Sequence, residues 1–232
     1  MTPILKPRRL TFPREPPRVH AYANLYRFGR TADPAPLLVY IGGATNRQTY
    51  LAQYETEPTP IVNELARALA LQPLPSLDAL ICPCPIDSGG EGHEYFVDHF
   101  DGELCTELGA PPAALACVGY SAGAGYATHL AIVAEARALA VFGSAGVHQA
   151  AADNRTLLER FKGESARTTE IGIFRNDSDN IVAPPQTLAA QLRPLHARAM
   201  AMRPGQHKFA DYAANDTVRD AFRFVIERLG AV

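Results

Sequence analysis

Gly119-Tyr120-Ser121-Ala122-Gly123 reads Gly-x-Ser-x-Gly. A serine hydroxyl is a poor nucleophile until something holds it in place and something else takes its proton. The flanks of this pattern supply the holding. Ala113 to Val118 is apolar and short enough for a buried strand, and Tyr126 to Arg137 is Ala-rich and long enough for a helix. On a tight strand-to-helix turn the serine stands out over the end of the sheet, and glycines on either side have no Cβ to keep the two segments apart. The N–H of Ala122 then lies at a helix N-terminus, facing any negative charge that develops beside the serine. A glycine-rich turn with a serine helix cap carries the same letters; the strand and helix flanks favour the nucleophile.

A nucleophilic serine needs a base, and the base needs an acid to orient it and balance its cation. Two later segments can supply them. Arg175-Asn176-Asp177-Ser178-Asp179-Asn180-Ile181 follows an apolar strand and offers two carboxylates, Asp177 and Asp179. Arg203-Pro204-Gly205-Gln206-His207-Lys208-Phe209 is a glycine turn that presents a histidine just before the final helix. Of the seven histidines, His20 falls in an outer strand, His93 and His99 follow an acidic glycine loop, and His129 lies within the helix after the serine. His148 follows the strand ending at Phe142, and His196 opens the last strand at the end away from the serine. Only His207 comes both after the acid loop and at the correct end of a strand.

These groups need a scaffold, and the chain alternates strand and helix signals. Leu37–Ile41, Leu77–Pro83, Ala138–Phe142 and Glu170–Phe174 are short apolar runs of the kind found in strands covered on both faces. Val19–Phe28 alternates more loosely and predicts an edge strand; His196–Met202 predicts the last strand. Pro60–Leu71, Glu94–Leu108, much of 147–169, Pro185–Leu192 and a single long amphipathic helix over Asp211–Leu229 fill the intervals. Alternation of this kind predicts an α/β fold, with a mainly parallel central sheet and helices on both faces. Sites in such sheets form at the carboxyl ends of the strands, where the serine, acid and histidine segments all fall.

Composition bounds the rest. A chain of 232 residues with 47% hydrophobic and 20% charged residues suits an ordinary globular domain. Residues 1–18 read as an irregular arm, with Lys6, Arg8, Arg9, Arg14 and Arg18 interleaved among prolines, and residues 19–232 as a single domain. A formal net charge of −2 gives no footprint for nucleic acid. No apolar run is long enough for a membrane span, and no apolar stretch follows the basic residues of the N-terminus as a signal peptide requires. Cys82, Cys84, Cys105 and Cys117 lack the spacing of a redox or zinc site and read as reduced thiols packed as small hydrophobes, which points to the cytoplasm. The acid- and histidine-bearing loop over 87–99 matches no metal-ligand spacing, so neither a metal nor another cofactor is expected.

The three motifs in order resemble the α/β-hydrolase superfamily. Its order is serine, then acid, then histidine, and its elbow matches Gly119 to Gly123. Its acid loop, an Asp followed closely by Val and Pro, is matched by Asp179-Asn180-Ile181-Val182-Ala183-Pro184 with one residue inserted, which favours Asp179 over Asp177. Its Gly-x-His-x-Phe context is reproduced over Gly205 to Phe209. The resemblance spans residues 20 to 230 and implies the α/β-hydrolase fold with a minimal cap, since Gly143 to Thr169 leaves little room for a lid. It implies a Ser121–His207–Asp179 triad and an oxyanion hole from Ala122 and the Gly42-Gly43-Ala44-Thr45 loop, with Gly43 favoured and Ala44 as the alternative. The His-Gly pair usual at that loop is absent, because Ile41 precedes Gly42. Ala44, Arg47 and Tyr120 are the candidate substrate contacts; Arg47 could meet a carboxylate or phosphate, or be an ordinary solvated arginine. The activity implied is hydrolysis of a carboxylic ester in a small acyl substrate. A thioesterase, an acyl-transfer or cyclising enzyme, a peptidase, and a non-catalytic binding protein on the same fold are the alternatives. Oligomeric state is not legible in the chain.

Overall fold

The computed structural model describes residues 8–11, 22–29, 34–43, 60–82, 113–144, 169–181, 189 and 196–230. They build an eight-stranded sheet in the order β1-β2-β4-β3-β5-β6-β7-β8. The strands are β1 (Arg8–Thr11), β2 (Tyr22–Gly29), β3 (Leu37–Ile41), β4 (Ser76–Cys82), β5 (Leu115–Tyr120), β6 (Ala138–Phe142), β7 (Glu170–Phe174) and β8 (Ala197–Ala199). From β4 through β8 every pairing is parallel, while β2 joins β4 and β1 joins β2 antiparallel. The helices are α1 (Pro60–Leu71), α2 (Gly123–Val133), α3 (Phe209–Ala214) and α4 (Thr217–Gly230).

Period-two alternation divides the central strands between two cores. Leu37, Val39 and Ile41 of β3 join Cys117 of β5 and Leu139 and Val141 of β6 on the face covered by Ala124, Ala127, Leu130 and Ala131 of α2. Leu38, Tyr40, Val118, Ala140 and Phe142 point the other way, onto Leu65 and Leu69 of α1 and Phe222, Val225 and Ile226 of α4. Helices therefore cover both faces. Because both faces are dry, the central strands read as unbroken apolar runs in sequence. Cys82 and Cys117 are free and buried in the α2-side core. Among the described residues no helix is long and apolar enough to cross a membrane.

Three expectations change. Residues 8–11 are not irregular: they form β1, which pairs along β2 from Arg8↔Leu25 to Thr11↔Tyr22. The expected edge strand is therefore second from the edge. Four residues between Pro7 and Pro13 carry no amphipathic signal of their own, and the pairing follows from the free edge that β2 presents. The single C-terminal helix is two helices, α3 and α4. At the break Asp216 has φ +68, and the Asn215 Oδ1 accepts hydrogen bonds from both the N–H and the hydroxyl of Thr217. A side chain that caps a new helix competes with continuation of the old one. The helix after the serine begins at Gly123 and ends at Val133, short of Arg137, as Glu135 turns through φ +50 and the Ala136 N–H bonds the Ala131 carbonyl at 2.9 Å. The helices expected over Glu94–Leu108 and 147–169 lie outside the described residues, as does that over Pro185–Leu192 apart from the helical Ala189.

One close approach governs where the strands meet α2. A Cβ on Gly123 would lie 2.1 Å from the Gly42 carbonyl oxygen and 2.4 Å from that of Ile41, both backbone atoms. Gly123→Ala should therefore cost about 3 kcal/mol or more, at the upper end of overpacking. Urea unfolding followed by circular dichroism measures it; a midpoint equal to that of the unaltered protein would show that the loop after β3 can back away.

Candidate active site

The turn between β5 and α2 puts Ser121 at φ +51, in the left-handed region that non-glycine residues avoid. Three contacts hold it there. The Ser121 N–H donates to the Phe142 carbonyl at 3.1 Å, and the Ala124 N–H donates to the Ser121 carbonyl at 3.1 Å. Gly119 lets α2 close down behind it, since a Cβ there would lie 2.6 Å from the Ala124 Cα. Packing thus holds a local strain that aims the side chain away from the core.

The Ser121 hydroxyl meets His207. Its Oγ is 2.9 Å from Nε2 of the imidazole. On the other side of the ring, Nδ1 is 2.7 Å from Asp179 Oδ2. An ionised carboxylate can only accept, so the proton lies on Nδ1, and Nε2 is left to accept from the serine. Asp179 has no solvent exposure, and His207 retains a small exposed edge. The Asp179 Oδ1 accepts the Ile181 N–H at 3.1 Å. Its Oδ2 also accepts the hydroxyl of Tyr212, at 2.5 Å. The Arg175 guanidinium donates to the Asp179 carbonyl, its Nε at 3.1 Å.

The other carboxylate lies elsewhere. Asp177 is exposed, and its Oδ1 accepts the Ser178 hydroxyl at 2.9 Å and the Gly205 N–H at 3.3 Å. The Ser178 bond, with the Gly205 N–H behind it, holds its carboxyl below the usual range. Asp177 fastens the turn that carries His207 without touching the imidazole.

Of the remaining candidates, Gly43 lies against the serine. A Cβ on it would sit 3.1 Å from the Ser121 Cβ and 3.0 Å from the Tyr120 ring. Ala122 is exposed at the N-terminus of α2. Tyr120 stacks on His207, with ring centroids 5.7 Å apart and 25° between planes, and on Phe142 at 5.0 Å and 22°. Burial pushes its phenol up to about 12, with the Asp179 and Asp211 charges adding to the effect. It stays neutral and walls the imidazole. Ala44 and Arg47 lie outside the described residues, as do His20, His93, His99 and His148. Among the described residues no three His, Cys, Asp or Glu side chains are grouped to hold a metal ion.

Three residues at the site escaped sequence reasoning: Asn176, Tyr212 and Asn215. Asn176 is fully buried; its Nδ2 donates to the Gln206 carbonyl at 3.0 Å, and its Oδ1 accepts from Asn215 Nδ2 at 2.7 Å. The same Asn215 Nδ2 reaches the Pro204 carbonyl at 2.7 Å. These bonds tie the acid loop, the histidine turn and the junction of α3 with α4 into one unit. The available signal was positional: Asn176 stands beside the acid pair, and Tyr212 follows His207 by little more than one helical turn.

Comparison with solved structures follows the same lines. Est1E from Butyrivibrio proteoclasticus superposes with a TM-score of 0.65 at 12% identity, over 95% of this chain and 98% of that one. An α/β serine hydrolase without a lid from Xanthomonas campestris matches over 100% of this chain and 99% of that one, with a TM-score of 0.57 and 14% identity. The S-formylglutathione hydrolase of Staphylococcus aureus gives 0.65 at 12% identity, over 96% of this chain and all of that one. This chain has the α/β-hydrolase fold. No protein-family model matches the sequence, and no curated protein matches it. The α/β-hydrolase fold is thus legible here in backbone geometry and not in overall sequence identity.

Asn176 makes a test of how the site is held. Asn176→Ala removes the partner of one carbonyl and one amide in a buried setting, a loss of about 1–3 kcal/mol. Urea unfolding should show that drop, and unchanged stability would mean that solvent replaces both bonds.

Proposed function

We propose that this protein is a serine hydrolase that cleaves a carboxylic ester through an acyl-enzyme. The observation that carries the reading is the unbroken chain of hydrogen bonds from Ser121 through His207 to the buried Asp179. His207 Nε2 takes the hydroxyl proton as Ser121 Oγ attacks the acyl carbonyl, forming a C–O bond and a tetrahedral oxyanion. The Ala122 and Gly43 N–H groups receive that oxyanion; the support is Ala122 at the helix N-terminus and Gly43 against the serine. The imidazolium gives its proton to the departing alcohol as the ester C–O bond breaks. Water, deprotonated by the same nitrogen, then attacks the acyl-serine, and the returning proton restores the hydroxyl. Asp179 keeps the imidazole in the tautomer these steps need and balances its transient charge.

The acyl group is that of a small molecule, met by Tyr120 beside the serine; Ala44 and Arg47, the other sequence candidates, lie outside the described residues. The same steps serve a thioester, with a thiol leaving, and the name of the Staphylococcus aureus neighbour favours keeping that bond in the screen. The free, buried Cys82 and Cys117 support a reducing, cytoplasmic setting.

Treatment with a fluorophosphonate should add one adduct to the intact protein, mapped to Ser121 and missing from Ser121→Ala; a folded protein that takes no adduct would falsify the reading. On an activated ester, Asp179→Asn should lower kcat by on the order of 10⁴, because the imidazole is left in the wrong tautomer. Asp177→Asn should keep most of the turnover. The reverse ranking would move the acid role to Asp177.

A further inference from the structure

Asp179 Oδ2 receives two donors. The His207 Nδ1 and the Tyr212 hydroxyl lie 2.7 Å and 2.5 Å from the same oxygen. A tyrosine is not needed to satisfy this carboxylate: Oδ1 has the Ile181 N–H and Oδ2 has the imidazole. Its presence has a chemical effect nonetheless. A carboxylate oxygen that accepts a second strong hydrogen bond holds its charge more tightly and is a weaker acceptor toward the first donor.

The phenol is fixed in place. Tyr212 has no solvent exposure, and its ring packs on Phe142 at 5.5 Å and Tyr120 at 5.8 Å between centroids. Its oxygen accepts the Asn176 N–H at 3.3 Å, which leaves its one hydrogen for Asp179. Burial, together with the Asp179 carboxylate, pushes the phenol well above its ordinary range, so it keeps that hydrogen. Room has been left for it at Gly143, which has φ +56; a Cβ there would come within 3.2 Å of the Tyr212 hydroxyl. The break at Asn215–Asp216 makes α3 a separate helix, free to point Tyr212 at the acid while α4 packs on the sheet.

We propose that Tyr212 is a positioning residue for this site: by sharing Oδ2 of Asp179 with His207, it fixes the carboxylate rotamer and sets how strongly Asp179 holds the imidazole Nδ1–H. No proton changes owner in this role. The inference rests on the hydrolase reading for its kinetic consequence only; the shared oxygen can be measured without turnover.

The test uses the full chain with ¹⁵N-labelled histidine, and follows the low-field Nδ1–H proton of His207 by NMR. In Tyr212→Phe, Oδ2 serves the imidazole alone, and the proton should move to lower field. In Tyr212→3-fluorotyrosine, the more acidic phenol donates more strongly, and the proton should move to higher field. The fluorinated variant keeps the ring and hydroxyl, and it decides the matter if the Phe variant does not fold. With an activated ester, Tyr212→Phe should lower kcat about tenfold at unchanged KM, because the carboxylate rotamer is no longer fixed and the imidazole is aligned with Ser121 for a smaller share of the time. A structural role alone would lower stability and leave the proton where it is. A resonance unmoved in the folded variants, or absent in all the proteins, overturns the proposal. If the unaltered protein shows neither turnover nor a fluorophosphonate adduct, the hydrolase reading falls, while the direction of the two proton shifts still decides the role of Tyr212.

Discussion

A carboxylate with no access to water has to be met by donors, or its charge cannot persist in the interior. Asp179 is such a group, and much of the C-terminal third of the chain is arranged around it. Its donors come from three places: the backbone of its own loop at Ile181, the imidazole of His207, and the phenol of Tyr212. Each donor needs fixing in turn. Arg175 holds the Asp179 carbonyl, and Asn176 reaches across to the Gln206 carbonyl beside His207. Asn215 joins Asn176 to the Pro204 carbonyl and also starts α4. The cost of one buried charge is thereby spread over a network that fixes the histidine turn.

The serine side depends on backbone packing rather than on charge. Ser121 sits at positive φ because α2 descends onto β3 and β5 with no side chain between them. Such strain persists only where the surroundings over-determine it. Two parts of the structure with different physics therefore meet at one hydrogen bond, from Ser121 Oγ to His207 Nε2. Tyr120 bridges them. It belongs to β5, yet its ring lies on the imidazole and on Phe142, and edge-on to Tyr212. An aromatic wall of this kind carries the position of the sheet to the histidine turn.

The central strands were legible because dry strands must be apolar throughout, and Leu37–Ile41, Ala138–Phe142 and Glu170–Phe174 match the observed bounds. So was α1, whose Pro60 start and apolar stripe are local signals. The elbow was legible for a steric reason, since only glycine tolerates the contacts at positions 119 and 123. β1 was hidden, because its four residues pair through backbone and carry no pattern of their own. The break between α3 and α4 was hidden by the amphipathic stripe running through it; the deciding bonds come from Asn215, whose partners lie far away in sequence. Residue reading left Asp177 and Asp179 open, as both stand in one loop. The resemblance of Asp179-Asn180-Ile181-Val182-Ala183-Pro184 to a family acid loop favoured Asp179; the turn through Asn176 to Asp179 is the backbone detail behind that choice. The structure brings Asp179 to the imidazole and turns Asp177 to solvent.

The α2-side core also keeps two nucleophiles away from any incoming electrophile. A thiolate outcompetes a serine hydroxyl for most electrophiles wherever both are within reach. Cys82 and Cys117 are sealed in the α2-side core, where burial holds both thiols far above their ordinary range. At these two positions the folded chain offers neither access nor thiolate. Sulfur chemistry at Cys82 and Cys117 is postponed until the sheet opens, so their reactivity toward an electrophile reports unfolding.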